Sequence, residues 1–166
     1  VFMQIRIFPH SWTKKLCLLM MLFFAMPSLA GDWASWRGKH QTGVSDATGL
    51  ISEWSIDGQN LIWRQDFVSR STPIVMNGKV YVIGRTGDEI SMKERVACFD
   101  AKSGELLWEH LESVRNTYAP FSRVGWACMV GDPETGNVYS IGTGGILNCF
   151  DEDGKILWTH SMIEDF

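Results

Sequence analysis

The chain is 166 residues long, and 45% of its residues are hydrophobic while 20% are charged. It contains 15 Lys and Arg against 19 Asp and Glu, which gives a formal net charge of −4. An acidic chain without a stripe of Lys and Arg does not match the charge pattern of nucleic-acid-binding proteins, so we expect neither nucleic acid nor an anionic membrane as a partner.

Residues 1–30 have the composition of a secretory signal peptide. Basic residues precede an uninterrupted apolar run over residues 16–26, and Ser28 and Ala30 place small side chains where a signal peptidase cleaves. The run is too short to cross about 30 Å of hydrocarbon as a helix, so we expect no stable membrane anchor. The sequence therefore predicts a periplasmic or secreted protein. Cleavage after Ala30 leaves 12 basic against 19 acidic residues, a net charge of −7.

The remainder of the chain repeats one short pattern three times. Residues 57–63 read Asp-Gly-Gln-Asn-Leu-Ile-Trp, residues 98–108 read Cys-Phe-Asp-Ala-Lys-Ser-Gly-Glu-Leu-Leu-Trp, and residues 149–158 read Cys-Phe-Asp-Glu-Asp-Gly-Lys-Ile-Leu-Trp. The closing tryptophans are 45 and 50 residues apart, a period typical of propellers and solenoids. Each copy predicts a β-hairpin, because Asp accepts hydrogen bonds from turn N–H groups and Gly tolerates positive φ. The structural residues of the two full copies are Asp100, Gly104, Trp108, Asp151, Gly154 and Trp158.

A second strand-turn-strand pattern precedes each full hairpin. Residues 72–84 and 128–142 both carry Gly-x-Val-Tyr at the start of their second predicted strand. Four strands per unit predict the blades of an all-β propeller. We expect a leading segment with a partial blade over residues 31–66, one blade over 67–112 and another over 113–166. Because closed propellers have about 4–8 blades, the sequence predicts an incomplete piece of two to three.

Two stretches between the predicted strands differ between the units. Residues 87–95 are charged in the first unit only, and we interpret them as a solvated hairpin loop. Residues 111–126 link the two blades and are longer than a tight connection, which makes this link the best place for a functional loop.

The hairpins resemble the repeats of the pyrroloquinoline-quinone-like (PQQ-like) propeller family, whose pattern is Ala-x-Asp-x-x-Thr-Gly-Lys-x-x-Trp. In the first full copy Cys98, Asp100, Ser103, Gly104 and Trp108 occupy the pattern positions. The second copy is one residue shorter in its turn and matches at Cys149, Asp151, Gly154, Lys155 and Trp158. The segment that starts at residue 32 with Asp-Trp-Ala-Ser-Trp-Arg-Gly is similar to the start of secreted propellers of this family.

The resemblance implies one of two functions. The first is a non-catalytic scaffold that binds a protein partner. The second is a piece of a quinoprotein alcohol dehydrogenase, which would hold pyrroloquinoline quinone and calcium and use a catalytic Asp and an adjacent cysteine pair. No residue of this sequence can be assigned to those roles. We therefore expect that the chain alone neither binds the quinone tightly nor oxidises alcohols.

Other chemical motifs have structural explanations. Cys98, Cys128 and Cys149 include no Cys-x-x-Cys or adjacent pair, so we interpret them as structural thiols. His110 and His160 each lie two residues after a repeat Trp, and this repetition favours a structural or surface role. Turn chemistry explains the acidic residues 151–153 and the glycine-rich residues 142–145 better than a calcium loop or a phosphate loop does.

Arg123 and Trp126 are the candidate ligand-binding residues. They lie together in the link between the blades, in a pattern that the first blade does not repeat. Non-repeated residues are where a repeat protein can carry function, and this pair could stack on a planar ligand. Packing of Trp126 in the core at the start of an inner strand is the preferred alternative.

Overall fold

Two antiparallel sheets form the folded part of the chain. The computed structural model describes residues 31–88, 90–114 and 123–164, so the predicted signal peptide lies outside the described residues. The strands of the first sheet are β1 (Ile74–Met76), β2 (Lys79–Thr86), β3 (Lys93–Asp100) and β4 (Leu106–Ser113). Those of the second are β5 (Val130–Gly131), β6 (Val138–Ile141), β7 (Ile146–Phe150) and β8 (Ile156–Ser161). Each strand of a sheet pairs with the next in the chain, so each sheet is a four-stranded propeller blade, as predicted.

The two blades repeat each other in strand register as well as in sequence. Tyr81 is opposite Cys98, which is opposite Trp108, and the second blade has the same series with Tyr139, Cys149 and Trp158. A register shift follows each of the two cysteines at the same place. The repeated sequence therefore fixes the same backbone path twice, down to one irregularity between the third and fourth strands.

The core lies on both faces of the first sheet. One face packs against the second sheet, and the buried cluster includes Ile74, Tyr81, Met129 and Phe150. On the other face Phe99 and its neighbours pack against the partly buried Phe67, which precedes β1 in the chain. This alternation follows from the period of two along a strand, because successive side chains point to opposite faces.

The leading segment, residues 31–66, is attached to the first strand of each blade. Trp33 and Val75 exchange two backbone hydrogen bonds, of 2.7 and 3.0 Å, and form an isolated bridge. The carbonyl of Ala34 accepts a 2.7 Å hydrogen bond from the N–H of Gly131. The structure assigns no strand within this segment, so the copy that ends at Trp63 keeps the tryptophan without the hairpin.

Aspartate side chains organise the hairpin turns. The Asp100 carboxylate accepts hydrogen bonds from the backbone N–H groups of Lys102 and Ser103 and from the Ser103 hydroxyl, at 2.7 to 2.9 Å. These bonds, led by the backbone N–H of Ser103, hold the pKa of Asp100 below its usual value. Gly104 follows at a φ of 72°, in the left-handed region where a glycine carries no steric penalty.

The repeat tryptophans Trp63 and Trp108 each pack on the turn of the next unit. The indole N–H of Trp63 donates a 2.9 Å hydrogen bond to the carbonyl of Ala101, and a Cβ on Gly104 would lie 2.6 Å from the Trp63 ring. One unit later, the indole of Trp108 donates a 3.1 Å hydrogen bond to the carbonyl of Glu152. A Cβ on Gly154 would lie 2.5 Å from that ring. The turn therefore requires glycine for two reasons: its φ is positive, and the indole lies where a side chain would be.

The cysteines differ in burial, and this predicts their reactivity. Cys98 and Cys149 are buried and Cys128 is partly exposed, and all three are free. Burial raises the pKa of the Cys98 thiol to about 11 and also raises that of Cys149. Because the thiolate is the reactive form, we expect iodoacetamide at pH 8 to label Cys128 at least about tenfold faster than Cys98 or Cys149.

Peptide mapping by mass spectrometry measures the three labelling rates separately. In denaturing urea the three rates should converge, which controls for differences in peptide recovery. A native Cys98 that reacts as fast as Cys128 would contradict the buried register of β3.

The antiparallel strands define two edges that the blades share. At one, which we call the turn edge, lie the turns between paired strands at residues 77–78, 101–105, 132–137 and 151–155. At the other, the connection edge, lie residues 87–88, 90–92 and 142–145 and the described part of the link that leads into β5, residues 123–129. Trp63 and Trp108 pack at the turn edge, so the described part of the non-repeated link lies at the opposite end of the strands.

Candidate functional site

Trp126 is a large aromatic side chain at the connection edge that the core does not cover. Half of its surface, 50%, is exposed. The preferred sequence interpretation, that Trp126 packs in the core, is therefore wrong. The ring stays outside because the segment before β5 turns at Gly125, which has a φ of 71°.

Arg70 occupies the matching position in the first blade. Arg70 precedes the first residue of β1 by four positions, and Trp126 precedes the first residue of β5 by four positions. The innermost strands β1 and β5 contact each other, and their leading residues lie side by side. The repeat thus places an arginine and a tryptophan at equivalent places in adjacent blades.

Two guanidinium groups lie near the Trp126 ring. The Cζ atom of Arg70 is 6.0 Å from the ring centre and that of Arg123 is 5.9 Å from it. Both distances are at the limit of cation–π attraction, which is worth about 0.5–1 kcal/mol at exposed sites. We call these three residues the arginine–tryptophan patch. Neither Arg70 nor Arg123 takes part in the ion pairs found among the described residues.

A buried carboxylate holds the backbone beneath the patch. Glu94, at the start of β3, is 3% exposed. Its Oε1 accepts hydrogen bonds from the N–H of Gly125 at 3.1 Å and from the hydroxyl of Thr143 at 2.6 Å. Its Oε2 accepts a 2.7 Å hydrogen bond from the N–H of Thr143. One side chain of the first blade therefore ties down both the link and the β6–β7 turn of the second blade.

Close packing at glycines fixes the same contact. A Cβ on Gly142 would lie 2.5 Å from the Glu94 carboxylate, and a Cβ on Gly125 would overlap the backbone of Gly84 in β2. A larger residue at either position would push the second blade away from the first. The patch therefore stands on a rigid junction, and a preorganised site loses less entropy when it binds a partner.

A second polar network joins the blades next to Glu94. Glu112 on β4 is directly opposite Glu94 and accepts a 3.0 Å hydrogen bond from the amide of Asn148 on β7. The Asn148 amide oxygen in turn accepts a 2.6 Å hydrogen bond from the hydroxyl of Thr159. His110 lies 3.6 Å from Glu112 and contacts Phe150 across the junction. His110 thus has a structural environment, as its repetition indicated, while the exposed His160 lies beside Trp158.

The described residues do not fit a calcium and quinone site. In the part of the chain that the structure describes, no three His, Cys, Asp or Glu side chains are placed to hold a metal ion. Cys98 and Cys149 lie inside different sheets, so they do not form the adjacent pair that the quinoprotein resemblance implies. No catalytic step through a quinone can be derived from these residues.

An open acidic groove lies at the turn edge, opposite the patch. Its walls come from the turns at residues 132–137 and 151–155 and from Asn77. Among the acidic residues of the groove, Asp151 serves its own turn, because its Oδ1 accepts hydrogen bonds from the N–H groups of Asp153 at 3.0 Å and Lys155 at 2.9 Å. Lys79 lies 3.5 Å from the Glu152 carboxylate across the junction. The groove is open and these two carboxylates have partners within the protein, so it adds no candidate ligand site.

Sequence reasoning found two of the three patch residues and missed the residue that supports them. Arg123 and Trp126 were predicted from their absence in the repeat, and the structure brings them together. Arg70 was missed, although counting four residues back from each first strand would have matched it to Trp126. Glu94 was assigned to a solvated loop over residues 87–95. That assignment is wrong, because β3 begins at Lys93 and turns the Glu94 side chain into the junction.

Comparison with known proteins identifies the repeat. Residues 24–166 match a family model of PQQ-like repeats that is described as outer membrane protein assembly factor BamB. A search of the curated proteins finds no match. Among the described residues there is no helix with the length and hydropathy needed to cross a membrane.

Proposed function

Because the chain belongs to the family of PQQ-like propeller repeats described as outer membrane protein assembly factor BamB, we propose that it is an exported scaffold that binds a protein partner. The partner contacts the connection edge, and the arginine–tryptophan patch is the centre of that contact. In this proposal the protein has no catalytic role. The predicted signal peptide and the family description support the periplasm as its compartment.

The observation that carries this proposal is the exposed Trp126 with two arginines near its ring. Trp and Arg are the residues most enriched at the energetic centres of protein interfaces. An indole that is 50% exposed on a rigid support gives a partner a large apolar surface at little entropic cost. The repeat tryptophans at positions 63 and 108 pack on turns of the same chain and are less available.

A photo-crosslinking experiment tests the scaffold function in cells. The photoreactive residue p-benzoyl-phenylalanine replaces Trp126 in one variant and the exposed Lys102, at the turn edge, in a matched control. We expect a discrete adduct with a single protein partner from position 126 and none from position 102. The crosslinked chain should be recovered from the exported fraction and should begin at Gly31 or a near neighbour.

The outcome separates the proposal from its alternatives. An absence of adducts at position 126, or equal adducts at both positions, would contradict a partner contact at the connection edge. Recovery of the chain only in the cytoplasm, with residues 1–30 intact, would contradict export.

A further inference from the structure

We propose that the arginine–tryptophan patch recognises an extended acidic segment of its partner, in which an apolar side chain lies between two carboxylates. This inference rests on the proposed function and names the chemistry of the partner at the same site. The argument depends on the charge of the patch, on its dimensions and on the charge of the surrounding protein.

The patch concentrates positive charge in an acidic protein. Arg70 and Arg123 both lie within 6.0 Å of one ring centre, so their guanidinium carbons are at most about 12 Å apart. Neither guanidinium is paired in the described ion pairs, whereas Arg95 is neutralised by Glu109 at 2.7 Å. An anion that reaches both Arg70 and Arg123 would form charge-assisted hydrogen bonds with each of them.

The composition of the patch sets the composition of the ligand. One apolar surface, Trp126, lies within 6.0 Å of two cationic groups. In an extended peptide, residues i, i+2 and i+4 lie on one side, and i and i+4 are about 13 Å apart. Carboxylates at i and i+4 with an aromatic residue at i+2 therefore reach both arginines and place the ring on the exposed half of the indole.

The charge of the whole chain favours a short acidic segment over an anionic membrane. Without residues 1–30 the chain carries 12 basic and 19 acidic residues. A broad negative surface would bring these carboxylates close and be repelled by them. A segment that contacts the patch alone meets the two exposed arginines, while the nearby Glu94 carboxylate is buried and accepts hydrogen bonds from Gly125 and Thr143. We therefore assign the carboxylates to a protein partner and not to lipid head groups or free phosphate.

Peptide titration by NMR tests this assignment on the 136-residue chain that starts at Gly31. The probe is acetyl-Ser-Asp-Ser-Phe-Ser-Asp-Ser-amide, and the matched control peptide carries Asn in place of both Asp residues. The indole N–H signal of Trp126, assigned with the W126F variant, reports binding, and the signal of Trp54 serves as an internal reference. We expect the acidic peptide to bind at least about tenfold more tightly than the Asn peptide at low salt, in keeping with charge-assisted hydrogen bonds, and we expect this preference to shrink as salt is added.

Charge variants separate the two arginines from general charge. R70A and R123A should each weaken acidic-peptide binding by about five- to tenfold, as expected for the loss of one charge-assisted contact. R64A removes an exposed arginine next to Trp63, which packs at the turn edge, and should leave binding unchanged. The double variant R70E/R123E should prefer the same peptide with Lys in place of Asp.

The possible failures are distinguishable. Equal binding of the Asp and Asn peptides would contradict recognition of an acidic segment. It would leave the proposed partner contact at Trp126 in place, because the crosslinking experiment tests that contact independently. Inorganic phosphate and phosphatidylglycerol vesicles are tested in the same way. If either shifts the Trp126 signal at a concentration at which the acidic peptide does not, the patch binds another anion. Loss of binding in R64A equal to that in R70A would show that net charge, and not the patch, attracts the peptide.

Discussion

Replacing Trp108 by Ala should lower the free energy of unfolding by about 3 kcal/mol, the lower end of the range for truncating a packed tryptophan. Trp108 is partly exposed, yet it stacks on Phe150 at 5.5 Å and donates its indole N–H to the Glu152 carbonyl. The variant loses both contacts and leaves the surface of Gly154 uncovered. Urea denaturation followed by far-UV circular dichroism measures the change.

Two matched variants divide this effect into its parts. W108F keeps an aromatic ring on Phe150 but removes the N–H donor. The loss of that hydrogen bond should lower the free energy of unfolding by about 1 kcal/mol, in addition to the effect of the smaller ring. W158A removes the same repeat residue where 40% of it is exposed, and should cost less than W108A in this chain. A loss below about 1 kcal/mol for W108A would mean that the tryptophan does not stabilise the junction.

Replacing Glu94 by Ala should cost about 1–3 kcal/mol for each buried hydrogen-bond donor that it leaves without an acceptor. The variant leaves the N–H groups of Gly125 and Thr143 without the carboxylate that accepts their hydrogen bonds. It should also loosen the link, so the Trp126 indole signal should broaden or shift even where the protein remains folded. Chemical denaturation and the NMR spectrum of the same sample measure the two effects.

E109A is the matched control, because it removes an exposed carboxylate from the same sheet. Glu109 is exposed on β4 and pairs with Arg95, and exposed ion pairs contribute about 0–1 kcal/mol. E94Q keeps one acceptor oxygen and should fall between E94A and the unchanged chain. Equal stability of E94A and E109A would contradict the view that Glu94 ties the two blades together.

The repeat explains why the blades could be predicted from sequence. Asp100, Gly104 and Trp108 act within one hairpin or on the adjacent unit, so their spacing in the sequence determines their positions in the structure. The same holds for the Asp151 hairpin. The all-β blade architecture follows from these local contacts and from the strand-turn-strand pattern that precedes each hairpin.

The patch could be predicted only in part, because it depends on contacts between distant residues. Glu94 and Thr143 are 49 positions apart, and nothing local to the charged stretch at 87–95 indicates that one of its carboxylates meets two N–H groups of the next blade. Arg70 reaches Trp126 only because β1 and β5 are neighbours. Local propensity describes a charged residue near a loop as solvated, and tertiary packing decides otherwise.

The same contact recurs where Trp63 meets Gly104 and where Trp108 meets Gly154, and it has a consequence for how such proteins evolve. Each junction uses one indole from one unit and one glycine turn from the next, and each unit supplies both parts. Duplicating or deleting a whole unit therefore creates a junction of the kind already present, with no new side chains to select. Stability in such an array is a sum of unit and nearest-neighbour terms. The number of blades can thus change by recombination, while residues outside the repeat, such as Arg70 and Trp126, diverge independently toward new partners.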